Sequence, residues 1–383
     1  MTIVIYEDKT EDFYPLSNLY PQYRLHVGGR AVIDHIQHWH SRNPVVLGQY
    51  KQKNIIPKNT KGTVVYLTAR FIATKKPVFP RGECALVCDD RVIGLVKHKP
   101  PYPRSGGKIL RIASRLKQAH EIKGYVMNTP WDLIRLNAVI TELHASTLRA
   151  HARIPRGITV IGRKKNVYVK AGAVIHPGVV LDVTQGPVII ESHACIRPFT
   201  TIVGPSYIGS GTIIDRAKIT ASSIGPMCRI GGEIEACIFQ GFTNKYHEGF
   251  IGHSFVGEWV NLGALTTNSD LKNNYGPVRI LIRRKIYDTG MTKLGCFIGD
   301  HTKTGIGTLI PTGAVIGSFV NFFGGGMMPR YVRDFTWLTS KKQEVYSLKK
   351  ALETARIVMA RRGRSMNISY RQKIKDCYSW RNS

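Results

Sequence analysis

Between residues 190 and 214 an isoleucine returns at every sixth position: Ile190, Ile196, Ile202, Ile208 and Ile214 in IESHACIRPFTTIVGPSYIGSGTIIDRA. A period of six fits neither the 3.6 residues per turn of an α-helix nor the alternation of a simple strand. It fits a chain wound as a triangular prism, where each hexapeptide makes one flat face and its aliphatic residue points inward. The beat runs earlier through Val169, Ile175 and Leu181, and later through Phe250, Val256 and Leu262, then Ile310, Ile316 and Phe322. Residues 158–325 therefore predict roughly eight or nine coils of a left-handed parallel β-helix, at three hexapeptides per coil.

The beat breaks between Thr266 and Cys296, where NSDLKNNYGPVRILIRRKIYDTGMTK has to leave the prism. Long loops on a rigid frame commonly carry function. From Ser340 the chain places Val345, Leu348, Ala351, Leu352, Ala355 and Val358 on one helical face, which predicts a C-terminal helix over 340–362. Residues 363–383 read as a mobile, basic, aromatic-bearing tail.

The first 150 residues follow other rules. TIVIY, TVVYLTARFI and CALVCDDRVIGLVKH predict strands, the last folding into a hairpin at Asp89–Asp90. RAVIDHIQHWH has helical spacing, and TPWDLIRLNAVITELHAS opens a closing helix with Thr129 as cap and Pro130 in the first turn. The expected organisation is a small α/β domain (1–150), a β-helix domain (155–335), a helix (340–362) and a basic tail (363–383).

Charge bears on the partners. The chain carries 55 basic and 25 acidic residues, a net +30, densest after residue 340. Such a field draws polyanions: phosphorylated metabolites, coenzyme A, nucleic acid or an anionic membrane face. The seven cysteines are scattered: Cys84 and Cys88 stand in CALVC, whose alternation reads as a buried strand, and no second Cys/His pair lies at zinc spacing, so no metal site is expected. Reduced thiols, a start (MTIVIYEDKTED) lacking a basic-then-apolar leader, and the lack of an apolar run near 20 residues predict a cytoplasmic protein.

Specific motifs stand on the solenoid: FQG, NK, HEGFIG, GEWVNLGA and SDLKNNYG, in that order across roughly 220–335, followed by a helix ending MARR. They resemble the bifunctional N-acetylglucosamine-1-phosphate uridylyltransferase/glucosamine-1-phosphate acetyltransferase family, and more specifically a GlmU-like group of sugar nucleotidyltransferases. PWDL with Asn137, and YLTARFI, extend the resemblance into the first domain. In the acetyltransferase the catalytic histidine stands in H-x-x-Y-[LI]-G. HEGFIG is similar to that pattern, and the resemblance assigns His247 as the base, with Phe250 at the tyrosine position. VNLGALT matches VNIGAGT and puts Asn261 at the family asparagine. NNYG resembles NYDG and implies substrate contacts at Asn274 and Tyr275, joined by Arg229 and by Lys245 of the NK pair. The family's GPFARLRPG reads GPMCRIGGE here, keeping the first arginine as Arg229 and replacing the second by Gly231.

N-acetylation by acetyl-CoA needs a neutral amine, a route for its proton and donors for the developing oxyanion. A histidine near its ordinary pKa of about 6.5 suits the base role. Asn261 or backbone N–H groups would serve the oxyanion. Lys272, Arg279, Arg283 and Arg284, in or beside the extruded loop, are expected to hold phosphates of CoA or sugar. His193, His253 and His301 read as corner or packing residues, and Trp259 as a packing residue. The family's active site lies between prisms of a trimer, so the resemblance implies a homotrimer.

The leading expectation is an acetyl-CoA-dependent acyltransferase acting on an amino-sugar phosphate or nucleotide sugar. One alternative is a nucleotidyltransferase joining a sugar 1-phosphate to UTP or dTTP with Mg2+. It lacks the family's glycine-rich triphosphate loop, for which the acidic EDKTEDFYPL stands after the first strand, and VGGR (27–30) reads as a turn. The other alternative is a trimeric scaffold or sensor that binds a sugar nucleotide, nucleic acid or an anionic membrane surface through its basic tail.

Overall fold

The structure, a computed structural model, describes residues 1–40, 43–47, 62–148 and 154–381. Its contacts divide the chain into two units. The first is Met1–Phe13, Tyr20–Leu25 and Arg30–Asp132; the second is Tyr14–Leu19, His26–Gly29 and Leu133–Ser383. The division is thus interleaved rather than a single cut near residue 150, and the expected boundary falls partly outside the described residues.

The first unit is built on a mixed sheet in the order Val45–Leu47, Thr2–Tyr6, Val64–Thr68, Arg91–Lys97, Cys84–Cys88, Ala119–Glu121. Thr2–Tyr6 runs parallel to both neighbours, and its apolar side chains are buried, as a strand covered on both faces requires. Asp89 (φ 47°) and Asp90 (φ 61°) make the tight turn between Cys84–Cys88 and Arg91–Lys97. Two consecutive left-handed residues match the twist of an antiparallel pair, which Asp tolerates.

Where the two parallel strands end, Asp8 and Arg70 form a buried ion pair, their side chains 6% and 5% exposed. Arg70 Nε donates to Asp8 Oδ1 at 2.9 Å and Thr68 Oγ1 donates to the same oxygen at 2.6 Å. Arg70 also donates to Met127 O and Asn128 Oδ1, so the guanidinium and the carboxylate are used up locally.

The second unit is the left-handed parallel β-helix. One face is a nine-stranded sheet from Val167–Val169 to Tyr331–Val332, stacked in chain order. Ile190, Ile196, Ile202, Ile208 and Ile214 are all 0% exposed and belong to one continuous core. The six-residue period thus fixes which side chains enter the prism, except at Phe250, expected on the inward beat but only half-buried and aligned with Glu233, while the fully buried Ile251 aligned with Ile234 takes the inward place. Gly28 (φ 60°) and Gly29 (φ 79°) pack so closely that a Cβ would lie 2.4 Å from Ile140 and 2.2 Å from Tyr207. Those glycines serve packing within this unit.

Phe255–Val256 pairs directly with Cys296–Ile298 on this face. The chain between them includes the extruded segment, which folds into a hairpin, Arg279–Ile282 against Lys285–Asp288. Val278, Ile280 and Ile282 are buried, so the segment is an ordered attachment rather than a loose loop.

The C-terminal region departs from expectation in two ways. The helix starts at Leu348, because Gln343–Val345 pairs with Thr336–Thr339 as a strand and leaves Val345 57% exposed. The residues expected to be a mobile tail carry a second helix, Ile368–Trp380, capped by Asn367, whose side chain accepts from Tyr370 N at 2.8 Å. Its Ile374 and Cys377 are buried, a pairing that a basic composition hid.

An aromatic column explains why this strap docks. Phe242, Trp259, His301, Phe319 and Phe335 all take left-handed φ at successive corners. Their rings stack at centroid distances of 4.3, 6.2, 4.6 and 4.7 Å. The second helix covers them: Tyr370 bonds to His301 Nε2 at 2.9 Å, and Tyr378 meets Phe335 edge-on at 4.9 Å. Trp259 and His301 are therefore packing residues, and burial holds the His301 imidazole well below its usual pKa. No helix among the described residues is long and apolar enough to cross a membrane.

Candidate active site on the solenoid edge

On a second face of the prism, parallel register aligns two columns. The inward column reads Ile175, Ile196, Ile214, Ile230, Lys245, so a lysine stands where the core rule asks for an aliphatic residue. The outward neighbours are Arg229, Asn244 and Asn261, joined by Asn244↔Asn261 and Asn261↔Lys303 bridges. Successive coils stack about 4.8 Å apart, so these polar side chains form a continuous strip.

A pocket of about 540 Å³, open to solvent, lies over that strip. It is lined by Arg197, Arg229, Asn244, Tyr246, His247, Asn261 and Arg362, with Ile213, Leu262 and Ile306 among its apolar walls. His247 is exposed at the corner after the Asn244–Lys245 strand. Its ring meets Tyr246 edge-on at 5.8 Å. A neutral imidazole here can accept a proton from a bound nucleophile.

The strap closes a hydrogen-bond relay. Arg362 donates to Asn244 Oδ1 at 2.6 Å, and Asn244 Nδ2 donates to Asn261 Oδ1 at 3.2 Å. The relay fixes both amides by donor and acceptor logic, and it leaves the Nδ2 of Asn261 as the end available to a ligand. A developing oxyanion would find a donor there.

Arg229 anchors one nitrogen on the carbonyls of Gly211 at 3.0 Å and Cys228 at 2.8 Å. Burial and the neighbouring Arg362 guanidinium lower its pKa, although an arginine stays charged at neutral pH. On the other wall, Tyr246 donates to Asp215 at 2.8 Å and Arg197 donates to both of them. Burial, and then Asp215, hold the Tyr246 phenol above its usual pKa.

Of the residues singled out in the sequence, His247, Asn261 and Arg229 come together here. Lys245 does not line the pocket: it is 2% exposed, and its amine donates to the carbonyls of Gly231 at 3.0 Å and of His247. Asn274 and Tyr275 sit in an exposed turn, Asn274 Oδ1 accepting from Gly276 N at 3.2 Å and Tyr275 72% exposed. Lys272 bonds to Pro277 O at 2.8 Å. Arg279 is exposed on the hairpin, and its carbonyl accepts from Arg330 at 2.6 Å. Arg283 and Arg284 line a different cavity, with Tyr14, Tyr331, Arg333 and Asp334.

Arg197, Asp215, Asn244, Tyr246 and Arg362 escaped the sequence reading. Asn244 and Arg362 had a signal, since one opens the NK motif and the other closes the MARR motif that carried the resemblance. Arg197 and Asp215 had none, because they meet Tyr246 on the pocket wall from coils 49 and 31 residues upstream. Gly231, at the family's second arginine, admits no side chain: a Cβ would lie 2.2 Å from Tyr246 O. The second guanidinium beside Arg229 comes instead from Arg362. His253, expected to be a corner residue, bonds through Nδ1 to Asp270 at 2.7 Å.

No family model matches the chain. Among curated proteins it is similar to the bifunctional sugar-1-phosphate nucleotidylyltransferase/acetyltransferase of Sulfurisphaera tokodaii, 31% identical over 161 residues. That match covers 39% of this chain and 38% of the relative. It is also similar to the bifunctional protein GlmU of Methanocaldococcus jannaschii, 21% identical over 67% of this chain and 59% of the relative. The GlmU of Methanococcus maripaludis strain S2 / LL is 28% identical over 60% of the chain and 51% of the relative. The chain thus spans about two fifths to three fifths of the length of these relatives.

Proposed function

We propose that the solenoid edge is the acetyl-transfer site of an acetyl-CoA-dependent acyltransferase, acting on the amine of an amino-sugar phosphate or nucleotide sugar. The observation that carries this reading is the grouping of an exposed imidazole, an amide with its donor end free, and two guanidiniums lacking any carboxylate partner among the described residues. The acceptor amine attacks the thioester carbonyl carbon while His247 takes the proton that the amine gives up. The carbonyl oxygen becomes an oxyanion that accepts a hydrogen bond from Asn261 Nδ2. Collapse of the tetrahedral intermediate breaks the C–S bond, and the thiolate leaves as CoA, reprotonated by the imidazolium. Arg229 and Arg362 hold the phosphate of the acceptor, their fork geometry matching its oxygens.

Leu265, Ile306, Leu309, Phe323 and Met327 are 40–74% exposed on the solenoid. An apolar strip of this kind supports assembly with further copies, a homotrimer being the arrangement that the resemblance implies. One relative's name also includes sugar-1-phosphate nucleotidylyl transfer, and a second reading is such transfer, from UTP or dTTP, by the first unit. Mg2+ finds no fit in the pair at the strand ends, because both oxygens of Asp8 are already bonded.

The test is acetyl-CoA-dependent thiol release on a panel of amino-sugar phosphates and UDP-amino sugars. A fall of about 100-fold or more in His247→Ala supports the reading. Pyrophosphate release from UTP or dTTP without thiol release moves the chemistry to the first unit.

A further inference from the structure

Lys245 breaks the strongest rule of the chain. Its column on the second face is aliphatic in the four preceding coils, and Leu262 succeeds it in the next. A charged side chain inside a β-prism needs its hydrogen bonds met by the protein itself. Lys245 does this by running to the corner and giving its amine to two carbonyls on successive coils, Gly231 and His247. Burial brings its pKa from 10.5 to about 8, with Glu248 opposing the change.

The corner is shaped around the amine. At Gly232 (φ 73°) a Cβ would lie 2.9 Å from Lys245 Nζ and 2.8 Å from Gly249 O, so the neighbouring coil leaves that space to the lysine. On the other side, Gly249 (φ 129°) turns the chain so tightly that a Cβ would lie 2.2 Å from Thr266 O. The His247–Gly249 turn is therefore held by Gly232 on the preceding coil, by its own Gly249 against the next coil, and by an ammonium from within. Among the described residues no carboxylate bonds to the imidazole, and Asp215, beside the pocket wall, is engaged by Tyr246 and Arg197.

We infer that Lys245 is a positioning residue for His247: from inside the prism, its amine holds the His247 carbonyl and so fixes the direction in which the imidazole enters the pocket. The inference rests on the acyltransfer reading of that pocket. It replaces the expectation of a substrate contact at Lys245, and it gives a physical reason for a lysine in an otherwise aliphatic column. A backbone anchor can serve catalysis because a displacement of about 1 Å in a reacting group can cost 100-fold in rate.

Lys245→Met tests it, since an unbranched apolar chain of similar length satisfies the core column while donating nothing. Thiol release should fall about 10- to 100-fold in kcat, with KM for acetyl-CoA and acceptor changed less than about twofold. In a His247→Ala background the same substitution should cost nothing further, because it acts through a group already removed. A crystal structure of the variant should show the His247 corner displaced, a readout independent of turnover. Unchanged kcat in a folded Lys245→Met, an equal additional loss in the His247→Ala background, or an unmoved corner would each overturn the inference. Should the methionine variant not fold, Lys245→Gln, which keeps two N–H donors on a shorter arm, takes its place with partial recovery expected. Failure of the acyltransfer reading looks different: wild type without thiol release, or His247→Ala without effect.

Discussion

Two sets of arginines are treated differently in this chain. In the first unit, Arg70 meets Asp8 and Asn128, Thr68 donates to the same carboxylate, and the group is closed to solvent. On the solenoid edge, Arg229 and Arg362 are braced by carbonyls and an amide, which orient them without cancelling their charge. The same side chain thus serves as a structural rivet in one place and as an unsatisfied cation in the other. What separates them is the partner: a carboxylate neutralises, whereas neutral acceptors hold the fork in place and leave its field for an anion.

The largest effect that tests this contrast is on stability. Arg70→Met leaves Asp8 buried without its counter-ion and should cost about 3–5 kcal/mol in urea unfolding of the full chain. A loss under about 1 kcal/mol would mean that the pair is dispensable. Next comes His247→Ala, where about 100-fold in kcat corresponds to about 2.7 kcal/mol of transition-state stabilisation, with stability unchanged.

Asp334 is a third kind of buried charge. Its Oδ1 accepts from Asn18 at 2.7 Å and from Ser318 N at 2.6 Å, and burial pushes its carboxyl from 3.8 up to about 7. An acid whose pKa is raised by folding contributes stability that is complete below its unfolded pKa and is lost as pH rises through the folded one. Asp334→Asn keeps an oxygen for both bonds and removes the titration. The variant should gain on wild type between about pH 4 and pH 7, reaching about 4 kcal/mol at pH 8 by thermal or urea unfolding. A pH-independent difference would show that the carboxyl is ionised throughout.

The smallest effect is at Arg362. Arg362→Ala should raise KM for a phosphorylated acceptor about 10-fold, against less than about twofold for acetyl-CoA, since only the acceptor phosphate is assigned to that guanidinium. Equal changes for both substrates would instead place the strap's role in folding the pocket wall.

Much of the fold was legible because a solenoid writes its geometry into a period. Ile190 through Ile214 announce the prism, and the break after Thr266 announces the inserted hairpin. The C-terminal helices were half legible. Leu348–Ala360 shows a buried stripe of Ala351, Ala355 and Met359, while Ile368–Trp380 has a composition dominated by basic and polar residues. Its docking depends on Tyr370 and Tyr378 meeting His301 and Phe335 across the fold, which no local pattern records.

The site divides in the same way. The sequence by itself determined the prism, its inward residues and, through resemblance to a known pattern, His247, Asn261 and Arg229, because these depend on spacing along neighbouring coils. Only the tertiary structure brought Arg197 and Arg362 to the same pocket, with Asp215 bonded to Arg197 and Tyr246 of its wall. It also turned Lys245 inward, seated Arg283 and Arg284 in another cavity, and placed the Arg362 guanidinium beside that of Arg229. The physical reason is distance along the chain: a repeat dictates contacts one coil away, whereas Arg362 meets Asn244 across 118 residues, on a strap held in place by side-chain packing.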